Sequence, residues 1–448
     1  MDRPPLTEGS IPRAIVRLAA PMLIAGLLQS FQNLIDLFWV GSLGPRAVAA
    51  VTIAGTVLML LAPLFMGAAT GTLALVARAI GAGRNDDACR AAGQSLVLAL
   101  VLGGLAGTVG FLLARTVIGL LGPAPAVLPM AVSYLRIALL GSFTVFLLFM
   151  GNSALQGAGD TVRPMLIMGA ANVLNMALDP LLIFGIGPLP RLGVGGAALA
   201  TVIAQASAAA ISMFILFSGR TRLHIRNHQI RPDFALAFRI LRIGVPAAGQ
   251  MLARSLMNAV MMRIVASCGT VAVAAFGVGF RFHMLVLMPA FALGGAAATL
   301  VGQNLGAHEP DRAARSAWLA TAMDAAWMAL AAILMVTFAP VLIDLFTDDP
   351  DVIRVGASYL RTVSPFYVFT ALGIVLGRAL SGAGDTLPPM LITILSLWGF
   401  QVPLAVLFSR IIQPPTQGIW WAIAVATVLN GSLVALWFLR GRWKHKHI

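Results

Sequence analysis

Few side chains in this 448-residue chain could do chemistry, since only 10% of its residues are charged. Three acids stand inside long apolar stretches: Asp36, Asp179 and Asp324. Asp36 ends a polar series, Gln29, Gln32, Asn33 and Asp36, whose spacings of three and four put all four on one helical face. Asn172, Asn175 and Asp179 form a second stripe by the same rule, and Thr201 and Gln205 stand one turn apart further along. Two carboxylates joined by amide and hydroxyl oxygens can coordinate Na⁺. They can equally hold a proton, because crowded like charges do not readily both ionise. A carboxylate at bilayer depth costs roughly 2.5–3.5 kcal/mol, so each of these acids is a functional candidate. The plain alternative is an interhelical hydrogen-bond network that only glues helices together.

The elements that carry these residues follow from composition. Hydrophobic residues make up 59% of the chain and a further 45 residues are Gly, while 30 Lys and Arg with 16 Asp and Glu cannot cover a soluble surface of this size. That excludes an ordinary soluble enzyme. The apolar runs are about 20 residues long and lack strand alternation, so the expected class is an all-α polytopic membrane protein. Breaks at polar and Pro/Gly-rich gaps predict twelve transmembrane helices: 14–40, 49–75, 91–115, 129–152, 163–187 and 193–218, then 239–265, 274–300, 315–340, 354–378, 388–410 and 418–440. Asp36 and Asp179 fall 16 to 19 residues beyond Arg17 and Arg163, about 24–28 Å of helix, so both are expected at one depth in the outer half. Tyr134 begins the fourth span at a similar level.

The net charge of +14 is spread over short gaps and the tail Arg440 to Lys446, which suits topology signals better than a nucleic-acid groove. Arg3, Arg13, Arg84, Arg90, Arg163, Arg220, Arg222, Arg226, Arg231, Arg312, Arg315, Arg442, Lys444 and Lys446 fall in gaps on the side of the termini. The opposite gaps hold little beyond Arg46, Arg191 and Arg410, with the acidic stretch Asp344, Asp348, Asp349 and Asp351. Both termini are therefore expected in the cytoplasm, the first span being retained rather than cleaved. Cys89 and Cys268 fall near opposite membrane faces, so no disulfide is expected.

The halves match at an offset of 225 residues: GAGDT at 157–161 returns at 382–386, PMLI at 164–167 returns at 389–392, and SYLR at 133–136 returns at 358–361. Pro21 pairs with Pro246, Gly44 with Gly269 and Gly193 with Gly418. Each repeat holds an even number of spans, so the expectation is two six-helix lobes, 14–218 and 239–440, joined by a cytoplasmic connector at 219–238. A pseudo-two-fold axis along the membrane normal would relate them. The positions equivalent to Asp36, Asn175 and Asp179 are Met261, Phe400 and Leu404. The second repeat does without these polar groups, so the fold itself does not demand them.

The proline-broken first span ending in Asp36, LGPRAVAA at 43–50, GAG at 81–83, QGAGDT at 156–161 and GAGDT at 382–386 resemble the multidrug and toxic compound extrusion (MATE) transporters, over about residues 14–440. The resemblance implies a bacterial inner-membrane antiporter that expels amphipathic, often cationic, organic compounds in exchange for H⁺ or Na⁺. It also implies that the first-lobe coupling site is Asp36, Asn175 and Asp179 with Thr201, and that the first helix moves on protonation, for which Pro21 and Pro180 offer kink points. Members with a tenth-helix acid differ from this chain, whose span at 354–378 has none.

Gln29, Gln32, Asn33, Tyr134, Asn172 and Gln205 are expected to line a substrate cleft, with Gln250, Arg254 and Asn258 at i, i+4, i+8 on the seventh span. Asp324, between Trp318 and Trp327, belongs either to that cleft or to structure alone. Asp160 and Asp385 of the GAGDT turns suit helix capping or a local Arg better than chemistry. No P-loop or His cluster with ligand spacing is apparent, so no cofactor is expected beyond a coupling ion. The partners expected are small amphipathic organic compounds and membrane lipids, without nucleic acid, and the chain is expected to act as a monomer. A flippase for a lipid-linked precursor is the alternative function, and would draw on Arg254, Arg263 and Arg281. An intramembrane enzyme built on the Asp36 and Asp179 pair is a third possibility that the repeat disfavours.

Overall fold

The computed structural model describes residues 6–186, 190–446 and 448, all of them helix, turn or coil. The topology residue Arg3 lies outside the described residues. Among the described residues eleven helices are each long and apolar enough to cross a membrane, and the bent pair Leu128–Leu140 and Ser142–Gly157 makes a twelfth. The pair turns by 46° at Gly141, where the Ser142 hydroxyl donates to the Gly103 carbonyl at 2.7 Å and replaces the broken ladder with a bond to the third helix. The predicted twelve spans are therefore present, but many helices outrun their apolar runs. The second covers Pro45–Gly81 and the third Asn85–Leu120, against expectations of 49–75 and 91–115. Apolar length reports only the lipid-buried part of a helix. The water-facing turns are added by polar residues such as Asp86 and Asp87, which complement the positive end of the third helix.

The chain forms two compact units, Pro21–Ala248 and a second unit made of Met1–Ala20 with Gly249–Ile448. The divisions fall inside helices: at Ala20/Pro21 in Ile11–Gly41, and at Ala248/Gly249 in Phe234–Ala266. Each break lies within three residues of a repeat-related proline, Pro21 or Pro246. The first part of the seventh helix, residues 234–248, thus belongs with the first-half spans. Gly67 approaches the Gly244 carbonyl and Ala248 so closely that a Cβ there would lie 2.5 and 2.6 Å from them. In the other unit Arg312 donates to the Gly9 carbonyl at 2.9 Å.

The connector is tied down along its length. Gln229 donates to Asp86 at 2.7 Å, and Gln94 on the third helix donates to the carbonyls of Gln229 and Arg231 while accepting from the Asp233 N–H at 2.9 Å. The halves also differ in helix type. Leu372–Leu376 and Leu395–Gln401 are wide π segments, whereas their first-half equivalents lie in regular α-helix. A π segment re-aims the side chains that follow it. The fifth span, Val162–Phe184, is regular α-helix and keeps its polar stripe on one face.

Candidate functional site

The site grows from that stripe. Asn172, Asn175 and Asp179 are all buried, at 5%, 0% and 1% exposure, as their spacing requires. Across from them the first helix splits its polar series in two. Gln32 turns inward and its amide donates to Asn175 Oδ1 at 2.7 Å, while Gln29 and Asn33 pair with each other at 3.3 Å on the exposed side. Asp36 lies one turn beyond Gln32, on the inward side. The sixth span, Val194–Phe217, is drawn against the fifth because Gly196 has no Cβ, and one there would run into the Leu182 carbonyl. That crossing brings Thr201 to Asn175: the two side chains lie 3.4 Å apart. Turning the Asn175 amide over lets its nitrogen donate to Asp36 Oδ1 at 2.8 Å and its oxygen accept from the Thr201 N–H at 3.2 Å. In either orientation this side chain joins three helices.

The carboxylates of Asp36 and Asp179 face each other within hydrogen-bonding reach. Neither Asp179 oxygen meets a donor among the described residues. Two carboxylates are acceptors only, so the contact between them becomes a hydrogen bond only when a proton lies between them, or an attraction when a cation does. Tyr134 is close enough to feel both charges. One helical turn beyond the acids, Val40 and Ile183 join Val194 in a buried apolar cluster, with Trp39 set edge-on to Phe184 at 6.0 Å. Among the described residues no three His, Cys, Asp or Glu side chains gather to hold a metal ion. A Na⁺ here would need the oxygens of Asn175 and Thr201 beside the two carboxylates.

The remaining candidates scatter. Asn172 leaves its amide nitrogen without a partner, and Gln205 is half-buried one turn beyond Thr201. Gln250, Arg254, Asn258 and Asp324 belong to the other compact unit. There Gln250 donates to Thr393 at 2.8 Å and to the Pro389 carbonyl at 3.2 Å, tying the seventh helix to the eleventh, while Asn258 is exposed. Asp324 is fully buried, and neither of its oxygens meets a donor among the described residues. Sequence reasoning missed His283, whose ring lies 5.2 Å from that of Tyr367 and within electrostatic reach of Arg254. A lone His in an apolar run with no polar neighbour at helical spacing offers no signal of such a grouping. Gln32, expected in the substrate cleft, is buried with its amide on Asn175.

The comparisons with known proteins bear on the family and the fold. The MatE family profile matches twice, over residues 21–181 and 246–407, two stretches whose starts stand 225 residues apart, as the internal repeat does. A probable multidrug resistance protein NorM of Thermotoga maritima is 28% identical over 98% of this chain and 94% of its own length. An FAD transporter of Shewanella oneidensis is 30% identical over 98% and 97%. A crystal structure described as MATE in the bent conformation superposes with a TM-score of 0.91 at 28% identity, covering 97% of this chain and 96% of that one. With twelve spans, a duplicated half and a profile match to each half, this chain belongs to the MatE family of multidrug efflux transporters and is a membrane transporter, not an enzyme.

Proposed function

We propose that the protein is a secondary antiporter that exports amphipathic, cationic organic compounds in exchange for H⁺ or Na⁺ by alternating access. Asp36, Asn175, Asp179 and Thr201 are its coupling site. The observation that carries this reading is the pair of facing carboxylates in which Asp179 has no donor. A proton or Na⁺ is the one ligand that completes it, and its entry and loss change the net charge at bilayer depth. Gln32 holds Asn175 in place and so acts through that residue. In this reading residues 14–218 and 239–440 are the two repeats, the connector and both termini face the cytoplasm of a bacterial cell, and the chain works as a monomer in the inner membrane. Purified protein in liposomes, loaded with a cationic dye and given a proton gradient or a sodium gradient in turn, is the test. Dye efflux that follows one of the two gradients is expected. Efflux driven by neither would remove the antiport reading.

A second cargo class has its own observation. Arg254 is half-buried within the seventh helix, beside His283, and has no ion pair or hydrogen bond among the described residues. An unpaired guanidinium at membrane depth favours an anionic group on the cargo. The relative that carries FAD, an aromatic dianion, fits that pattern. Competition of FAD against the dye in the same vesicles separates the two, and an Arg254→Gln protein should lose only the anionic cargo.

The orientation makes its own prediction. A cysteine placed at Asp348 should react with an impermeant thiol reagent added outside intact cells, while one placed at His228 should react only after permeabilisation. The reverse pattern would invert the topology.

A further inference from the structure

The basic tail that the sequence offered only as a topology signal is a built structure. Trp443 is fully buried, stacks on Phe438 with ring centres 4.5 Å apart and donates to the Phe438 carbonyl at 2.8 Å. Phe438 in turn meets Trp318 edge-on at 5.8 Å. Two ion pairs pin the tail on either side of this aromatic stack. Lys444 reaches Asp311 at 2.9 Å, and Lys446 pairs with Asp385, whose other oxygen accepts from Trp437 at 3.1 Å.

The second of these pairs replaces something the repeat lost. In the first GAGDT turn Asp160 is paired with Arg163, three residues on. The position equivalent to Arg163 in the second turn is Pro388, so the tail supplies the cation from 61 residues away. The tail is thereby held in one place, and an open cavity of about 350 Å³ lies between it and the helix Pro310–Thr337.

The walls of this cavity have two characters. Trp318 and Leu439 give it an apolar side, and Arg440, Arg442 and His445 line the other with Lys444. The nearby acids Asp311 and Asp385 are each taken by a lysine. Arg440 rests over the Trp437 ring, and Arg442 and His445 have no ion pair among the described residues. On the facing helix Arg315 adds a further cation beside Arg312, against Glu309 at the helix start. Surplus positive charge therefore lies beside Trp318 and Leu439 at the end of the last membrane span, where water gives way to lipid.

We infer that this cavity binds a phosphate group, held by Arg440, Arg442 and His445, with any attached ester chain lying along Trp318 and Leu439. Basic pockets at the ends of membrane helices suit the headgroups of anionic phospholipids, and free phosphate carries the same chemistry. The inference rests on the chain spanning a membrane and not on the ion-coupling site, so it stands or falls separately from the antiport reading.

The full-length protein in a neutral detergent, examined by native mass spectrometry, provides the test. The probes are phosphatidylglycerol, phosphatidylcholine (whose choline cancels the phosphate charge) and inorganic phosphate. Wild-type protein should retain phosphatidylglycerol at least tenfold better than an Arg440→Ala, Arg442→Ala, His445→Ala triple variant, since each cation near an anionic surface contributes about a fivefold preference. The three side chains are exposed, so the variant should unfold at the wild-type temperature. Phosphatidylglycerol that millimolar phosphate does not displace assigns the lipid as occupant, and displacement by phosphate assigns the free anion. Equal retention by wild type and triple variant, or no preference for phosphatidylglycerol over phosphatidylcholine, would overturn the assignment.

Discussion

The Asp36→Asn protein, reconstituted in liposomes, is expected to show gradient-driven efflux no faster than protein-free vesicles, while still folding and inserting. The substitution keeps the size of the side chain and its ability to accept from Asn175, and it removes the group that must gain and lose charge. Asp179→Asn should be equally damaging. Its amide could donate to Asp36, making permanently the bond that the wild-type pair makes only with a cation present. Asn175→Ala should be intermediate, since it unties Gln32, Asp36 and Thr201 but leaves both acids. The size of the effect follows from the energies involved. Moving a two-state equilibrium from 1:99 to 99:1 takes about 5.5 kcal/mol of differential binding. Charge inside the bilayer is worth several kcal/mol, so the loaded and empty forms of two facing acids can bias two conformations by that much. The repeat supplies the control. Met261→Leu and Leu404→Met, at the equivalent second-half positions, exchange apolar shapes and should leave transport unchanged. Full gradient-driven efflux by Asp36→Asn would move coupling elsewhere, and Asp324, buried with no donor, is the next place to look.

Gly71→Leu should prevent recovery of folded protein. Gly71 lies against the Ile240 backbone: a Cβ there would run into the Ile240 carbonyl oxygen and lie 3.0 Å from its carbon and 3.2 Å from its Cα. Backbone cannot move aside as a flexible side chain can, so a leucine would separate the second span from the seventh helix. Overpacking in a well-filled core costs about 1–3 kcal/mol, and forcing two helices apart costs more. Gly71→Ala should lower the unfolding temperature without abolishing folding. The repeat-equivalent position is already Ala296, buried at 0%, so Ala296→Gly should cost only about 1 kcal/mol of helix propensity. Monodispersity on size exclusion and thermal unfolding in detergent measure all three. A Gly71→Leu protein that melts with wild type would mean the two helices are not in backbone contact.

The amino-acid sequence by itself determined the membrane class, the twelve spans and the duplication. These depend on quantities that accumulate along a chain, namely runs of apolar residues and motifs at a fixed offset, and the match of the MatE profile to each half follows the same offset. The stripe Asn172, Asn175 and Asp179 was legible too, because a regular helix converts spacing into a shared face. That rule gave out on the first helix, where all four polar residues satisfy it and only Gln32 and Asp36 turn toward the fifth span. Tertiary packing made that choice: Gly196 lets the sixth span close on the fifth, and the first helix then meets Asn175 through two side chains rather than four. Packing also decided that the helices containing Pro21 and Pro246 divide between compact units at those prolines, that Gly71 must lack a side chain where its repeat partner has one, and that Lys446 replaces the cation missing at Pro388. Each is a contact between residues far apart in sequence. Such contacts are set by the shape of neighbouring helices, and neither periodicity nor an internal repeat carries that information.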